Sequence, residues 1–181
     1  MNLKLVFIVA ITLVGCSNQK DKSVITDENQ VSADSKSKNY LTMKIDGKEW
    51  TADRDIFGSY HFSEALGPGL INIAGVKGNP PNDQNFNINL YNTASEGEYT
   101  VNIADNGRSK TYDNVAQFAL LTPSNYLCGG TLQGSQLKIN ITKVSKSPQI
   151  VQATFSGVMQ CVEGNKIAIT EGKFYYNENN N

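Results

Sequence analysis

From residue 40 onward apolar and polar residues alternate in short runs, the period-two signature of strands that bury one face. Leu41, Met43 and Ile45 alternate with Thr42 and Lys44; beyond Asp46-Gly47, Trp50 and Ala52 alternate with Glu49 and Thr51. Asp-Gly suits a two-residue hairpin turn whose two residues both take positive φ. Such a turn sets Ile45 opposite Lys48, Met43 opposite Trp50 and Leu41 opposite Ala52, so both strands bury the same face. Trp50 is therefore expected inside. Further strands are predicted over 57–63, 70–76, 85–91, 98–103, 115–121, 136–144, 150–160 and 167–176. In the run over 85–91 Asn85, Asn87 and Asn89 oppose Phe86, Ile88 and Leu90. In the last run Ile167 and Ile169 have one parity and Phe174 and Tyr176 the other, which a β-bulge near Glu171-Gly172 would reconcile.

No long stretch shows an apolar stripe at helical spacing. Nine or ten antiparallel strands, each with one buried face, close either as a sandwich or as a barrel. The expected fold is an all-β antiparallel β-sandwich over residues 40–177 with a disordered tail over 178–181; a closed, lipocalin-like β-barrel is the alternative. Glycine-rich, uneven connections around 67–69, 77–85, 104–114 and 122–135 favour the sandwich over an up-and-down meander.

The amino terminus follows another pattern. One charge at Lys4 precedes an apolar run over residues 5–14, broken only by Thr12. A spanning helix needs about twenty apolar residues, so this shorter run reads as the h-region of an export signal. Leu13-Val14-Gly15-Cys16 resembles the lipobox of bacterial lipoproteins, in which the cysteine sulfur receives a diacylglyceryl group and cleavage follows just before it. That resemblance implies a signal peptide over 1–15 and a lipid on Cys16. Each buried methylene contributes about 0.8 kcal/mol, and two or three chains on one residue anchor stably. Residues 16–39 are rich in Ser, Asp, Lys, Asn and Gln and lack aromatic residues, which makes them a flexible linker with a mean reach of about 25 Å. The segment "SNQKDK" after Cys16 is similar to export tags that carry some Bacteroidetes lipoproteins to the cell surface.

Composition narrows the partners further. The formal net charge is -1, so no overall basic field recruits nucleic acid, and aromatic and basic residues do not interleave as in a strand-binding groove. About 140 residues beyond the linker make one domain with a real core. With Cys16 acylated, Cys128 and Cys161 remain as an even pair in an oxidising compartment, where a disulfide is expected. Closing a loop of about 34 residues contributes roughly 3.5–4 kcal/mol. His61 is the single histidine, which excludes a zinc site built on several imidazoles; between Tyr60 and Phe62 it is expected to pack. Asp46, Glu49, Asp53 and Asp55 lack the spacing of a calcium loop and read as turn and rim residues. No catalytic, cofactor or metal-ligating residue is expected. Tyr60, Tyr91, Tyr112 and Tyr126 are candidates for a binding surface, since aromatic faces combine apolar area with a polar handle.

The runs "KIDGKEWTAD", "SEGEYTVN", "LKINITKV", "VQATFSGVM" and "IAITEGKFYY" together resemble small lipoproteins of Bacteroidetes that carry a β-rich domain of unknown function. The resemblance implies an outer-membrane lipoprotein, facing the periplasm or the surface, with a sandwich-like fold; it brings no catalytic residues. The expected role is a non-enzymatic, monomeric binding module that meets a protein or glycan partner through loops at one end of a rigid scaffold. A small-ligand carrier with a barrel cavity and a structural envelope protein are the alternatives.

Overall fold

The computed structural model describes residues 38–61, 69–91, 93, 95–103, 114–120, 126–130 and 132–181. The expected signal peptide, Cys16 and nearly all of the linker lie outside the described residues, as does Tyr112. Strands β1 (Tyr40–Ile45) and β2 (Lys48–Thr51) are followed by β3 (Arg54–His61), β4 (Leu70–Lys77), β5 (Gln84–Tyr91), β6 (Gly97–Asn102) and β7 (Val115–Leu120). Then come β8 (Tyr126–Gly129), β9 (Gln136–Lys146), β10 (Gln149–Gln160) and β11 (Lys166–Asn177). They form two antiparallel sheets, a six-stranded one in the order β2-β1-β11-β10-β9-β6 and a five-stranded one in the order β3-β4-β5-β7-β8. The sheets stack as a sandwich and do not close into a barrel, so the lipocalin-like alternative is excluded. Within the sheets, β8 is the one strand the sequence pattern does not show.

The first hairpin has the register its Asp-Gly turn dictates. Asp46 and Gly47 take φ of 48° and 77°, Met43 faces Trp50 and Ile45 faces Lys48, and the Ala52 amide donates to Leu41 O at 2.9 Å. Asp46 also fastens the turn to β11, its amide donating to Ala168 O at 2.9 Å while its carboxylate accepts from the Ala168 amide at 2.8 Å. Parity along β11 is corrected where Glu171 (φ 53°) adds a residue to the ladder. Ile167, Ile169, Phe174 and Tyr176 then all face inward. A second bulge at Thr142 in β9 shifts the apolar face from Ile141 to Val144. A third, where Asp55 has φ 51°, displaces β3 against β4.

The core runs between the sheets. Phe86 stacks on Phe155 with centroids 5.3 Å apart, and Trp50 tilts against Phe86 at 6.3 Å and meets Phe118 edge-on at 6.4 Å. Trp50 is 3% exposed, as its hairpin parity requires, and its indole N–H donates to Gln84 Oε1 at 2.7 Å, so its polar atom is satisfied. Gly58 lets β3 approach the opposite sheet, since a Cβ there would lie 2.9 Å from the Phe174 ring.

Beyond the Trp50–Gln84 bond, a disulfide and an asparagine tie the layers together. Cys128 and Cys161 are bonded, joining β8 of the five-stranded sheet to the end of β10 in the other, beside a Val162 N–H to Leu127 O bond of 3.0 Å. Asn114 accepts from the Tyr91 amide at 2.8 Å and donates to Thr100 O at 3.0 Å, bridging β5 and β6. Asn39 and the carboxy-terminal segment meet at one end of the sandwich. Asn39 is buried; it accepts from the Asn177 amide at 2.8 Å and donates to Asn181 Oδ1 at 3.0 Å. Residues 178–181, expected as a disordered tail, follow β11 in a short 3-10 turn in which Asn177 caps the Asn179 amide and Asn181 donates to the Tyr176 hydroxyl at 3.0 Å. The reason is asparagine chemistry: each short amide both donates and accepts, so the terminal segment finds local partners without burying apolar surface.

Candidate functional site

The tyrosines picked from the sequence do not share a surface among the described residues. Tyr60 and Tyr91 stand near one end of the five-stranded sheet, in the ladder rows of Ile71 and Leu70. Tyr126 begins β8 in the row of Leu120 and Gln84, at the other end. Tyr60 is half-buried with the Lys146 ammonium 5.5 Å above its ring, a packing contact. His61, expected to pack, is exposed as the last residue of β3, because its parity places it on the outer face. Asp53 and Asp55 have structural roles. Asp53 accepts from the Gly78 amide at 3.0 Å, and Arg54 pairs with Asp55 and, at 2.9 Å, with Asp83, which fixes the turn between β4 and β5. Among the described residues no three His, Cys, Asp or Glu side chains gather to hold a metal ion.

What the strands assemble instead is a groove on the outer face of the six-stranded sheet. Register aligns Glu98, Asn140, Thr154 and Lys173 in one row, and Thr100, Lys138 and Ser156 in the next. These side chains border a hollow of about 510 Å³. A neighbouring hollow of about 390 Å³ shares Thr100, Lys138 and Ser156 and continues to Asn102, Gln136 and Val158. The depression has a simple origin, since short Thr100, Asn140, Thr154 and Ser156 side chains line it while the longer Glu98, Lys138 and Lys173 side chains rise beside them. At Gly157 (φ 152°) a Cβ would fall 2.1 Å from Gln136 O, so part of the floor must remain bare backbone.

The groove wall is polar and partly ion-paired. Lys44, on the same outer face, donates to Glu171 at 2.7 Å and lies 3.7 Å from Glu49. The hydrogen bond and charge of Glu171 hold the Lys44 ammonium pKa above its ordinary value. Thr100, Asn140, Thr154 and Ser156 are all exposed. By contrast, the asparagines on the outer face of the five-stranded sheet satisfy one another, Asn72 donating to Asn89 and Asn89 to Asn87. The groove thus presents hydroxyl and amide groups that can donate and accept along an extended polar chain. On the same face Tyr40 and Tyr175 stack with centroids 6.0 Å apart, where the chain enters the fold. Parity contains the signal for this pair: Leu41 points inward, hence Tyr40 outward, and Tyr175 lies between inward Phe174 and Tyr176.

No protein-family model matches the chain, and no curated protein or solved structure matches it either. The candidate site therefore rests on its own geometry.

Proposed function

We propose that this chain is a non-enzymatic binding module, anchored by lipid on Cys16 to a bacterial outer membrane, that holds a glycan in the groove of the six-stranded sheet. The observation that carries the reading is the exposed double row of Thr, Ser, Asn and Lys side chains along that groove. A sugar chain offers hydroxyls at similar spacing and apolar ring faces, and the Tyr40–Tyr175 stack on the same face supplies an aromatic surface for the latter. This replaces end loops with a sheet face as the recognition surface, and it leaves a polypeptide partner as the competing outcome.

A glycan array probed with the mature protein tests the proposal. Selective binding is expected, weakened at least tenfold in the N140A/T154A/S156A variant. Binding to no glycan, or binding unchanged in that variant, contradicts it; capture of an extended peptide that the same variant loses assigns the groove to polypeptide. Anchoring has its own test, because mass spectrometry of the amino-terminal peptide is expected to show a diacylglyceryl thioether on Cys16, and protease shaving of intact cells separates surface from periplasmic display.

A further inference from the structure

A third hollow, of about 370 Å³, opens between the two sheets at the end opposite Asn39. Ile45, Trp50, Phe118 and Ile167 give it apolar walls. The polar groups at its mouth are unevenly committed. Asp46 is engaged with the Ala168 amide at 2.8 Å, and Glu49 lies 3.7 Å from the Lys44 ammonium. Both carboxylates on the lining thus keep their charge but are held by partners of their own, Asp46 by the β11 backbone and Glu49 beside Lys44.

The cations are not. Lys48 begins β2 opposite Ile45, and Lys77 ends β4 opposite Gln84, so each sheet contributes one ammonium to the same opening. Neither lysine has an ion pair among the described residues. Gln84 is fixed by the indole N–H bond to its Oε1, which leaves its NH2 group as a donor. Two cations without an ion pair among the described residues, with an amide donor, above an apolar floor are complementary to an anionic head on an apolar body.

The geometry points to a binding site for a small amphipathic organic anion, a carboxylate on an aliphatic or aromatic body, at this end of the sandwich. The site is separate from the sheet-face groove and goes beyond the glycan reading; neither depends on the other. Trp50 is the chain's single tryptophan and lines the pocket, so its fluorescence reports occupancy directly.

Octanoate is the probe, with octanamide as its neutral counterpart, titrated into the mature protein while Trp50 emission is followed. Octanoate is expected to give a saturable change, with octanamide at least tenfold weaker. In the K48Q/K77Q variant the octanoate Kd should rise at least tenfold, with an unchanged circular-dichroism spectrum showing that the fold survives. Equal affinity for octanoate and octanamide, octanoate binding unaltered in K48Q/K77Q, or no saturable response would overturn the assignment. The N140A/T154A/S156A variant should bind octanoate as the parent does, which keeps failure of this site distinct from failure of the groove; a loss there would also count against a separate pocket.

Discussion

Replacing Cys128 and Cys161 together by alanine removes the covalent link between the two sheets. The cysteines are 33 residues apart, and loop-closure entropy for that length corresponds to about 3.7 kcal/mol at 25 °C. Both are buried, at 0% and 2% exposure, so loss of the sulfur contacts adds to the cost. Against a total stability of roughly 5–15 kcal/mol for a domain, the double variant should stay folded with its melting temperature lowered by about 7–15 °C. Urea unfolding followed by Trp50 fluorescence measures the loss, and the slope should rise because the unfolded chain without a crosslink exposes more surface. Amide exchange should rise most in β8, a strand of four residues paired in its sheet only with β7, while the β9–β10–β11 ladder loses no more than the global difference. A loss below about 1 kcal/mol, or exchange rising equally everywhere, would refute a crosslink that acts mainly by constraining the unfolded chain and pinning β8.

Other substitutions probe different parts of the fold. Ser59 is fully buried and its hydroxyl has no hydrogen-bond partner among the described residues; Ser59→Ala should raise stability by about 1 kcal/mol, and a clear loss in urea unfolding would mean the hydroxyl is satisfied. Gly47 has φ 77° and open space where a Cβ would sit, so Gly47→Ala should cost about 1–2 kcal/mol from backbone conformation alone, with the rest of the ladder unchanged by amide chemical shifts. The Lys44 pKa is raised chiefly by Glu171. The stabilisation from this pair is present below the unfolded lysine pKa and lost as pH rises through the higher folded value. Glu171→Gln should therefore lower the Lys44 pKa toward the ordinary lysine range in a heteronuclear NMR titration, and an unmoved value would contradict the pairing.

Much of this architecture is legible where the code is local. Asp46-Gly47 names its own turn, which fixes Met43 opposite Trp50 and sends the indole inward. The parity break between Ile169 and Phe174 announces the bulge at Glu171. A similar break between Ile141 and Val144 marks the bulge at Thr142, although 136–144 also reads as one continuous strand. β8 is hidden because Tyr126–Gly129 is too short to show a period and is held by distant partners, Phe118 through the ladder and Cys161 through the disulfide. The outer groove is hidden for another reason. Thr100, Asn140 and Thr154 are unremarkable outward residues of separate strands, and only the order β11-β10-β9-β6 places them side by side. Single tyrosines attract notice in a sequence, yet Tyr60 and Tyr126 lie at opposite ends of a sheet, while the Tyr40–Tyr175 pair arises from a ladder that joins the first strand to the last.

Recognition along the six-stranded sheet is tested most directly by mapping amide chemical shifts of the mature protein during titration with a glycan selected on the array. The shifts should concentrate at Thr100, Lys138, Asn140, Thr154 and Ser156 and saturate together with a single Kd. Shifts confined to the turns at either end of the sandwich, or the absence of any saturating shift along β6, β9 and β10, would contradict the sheet face as the binding surface.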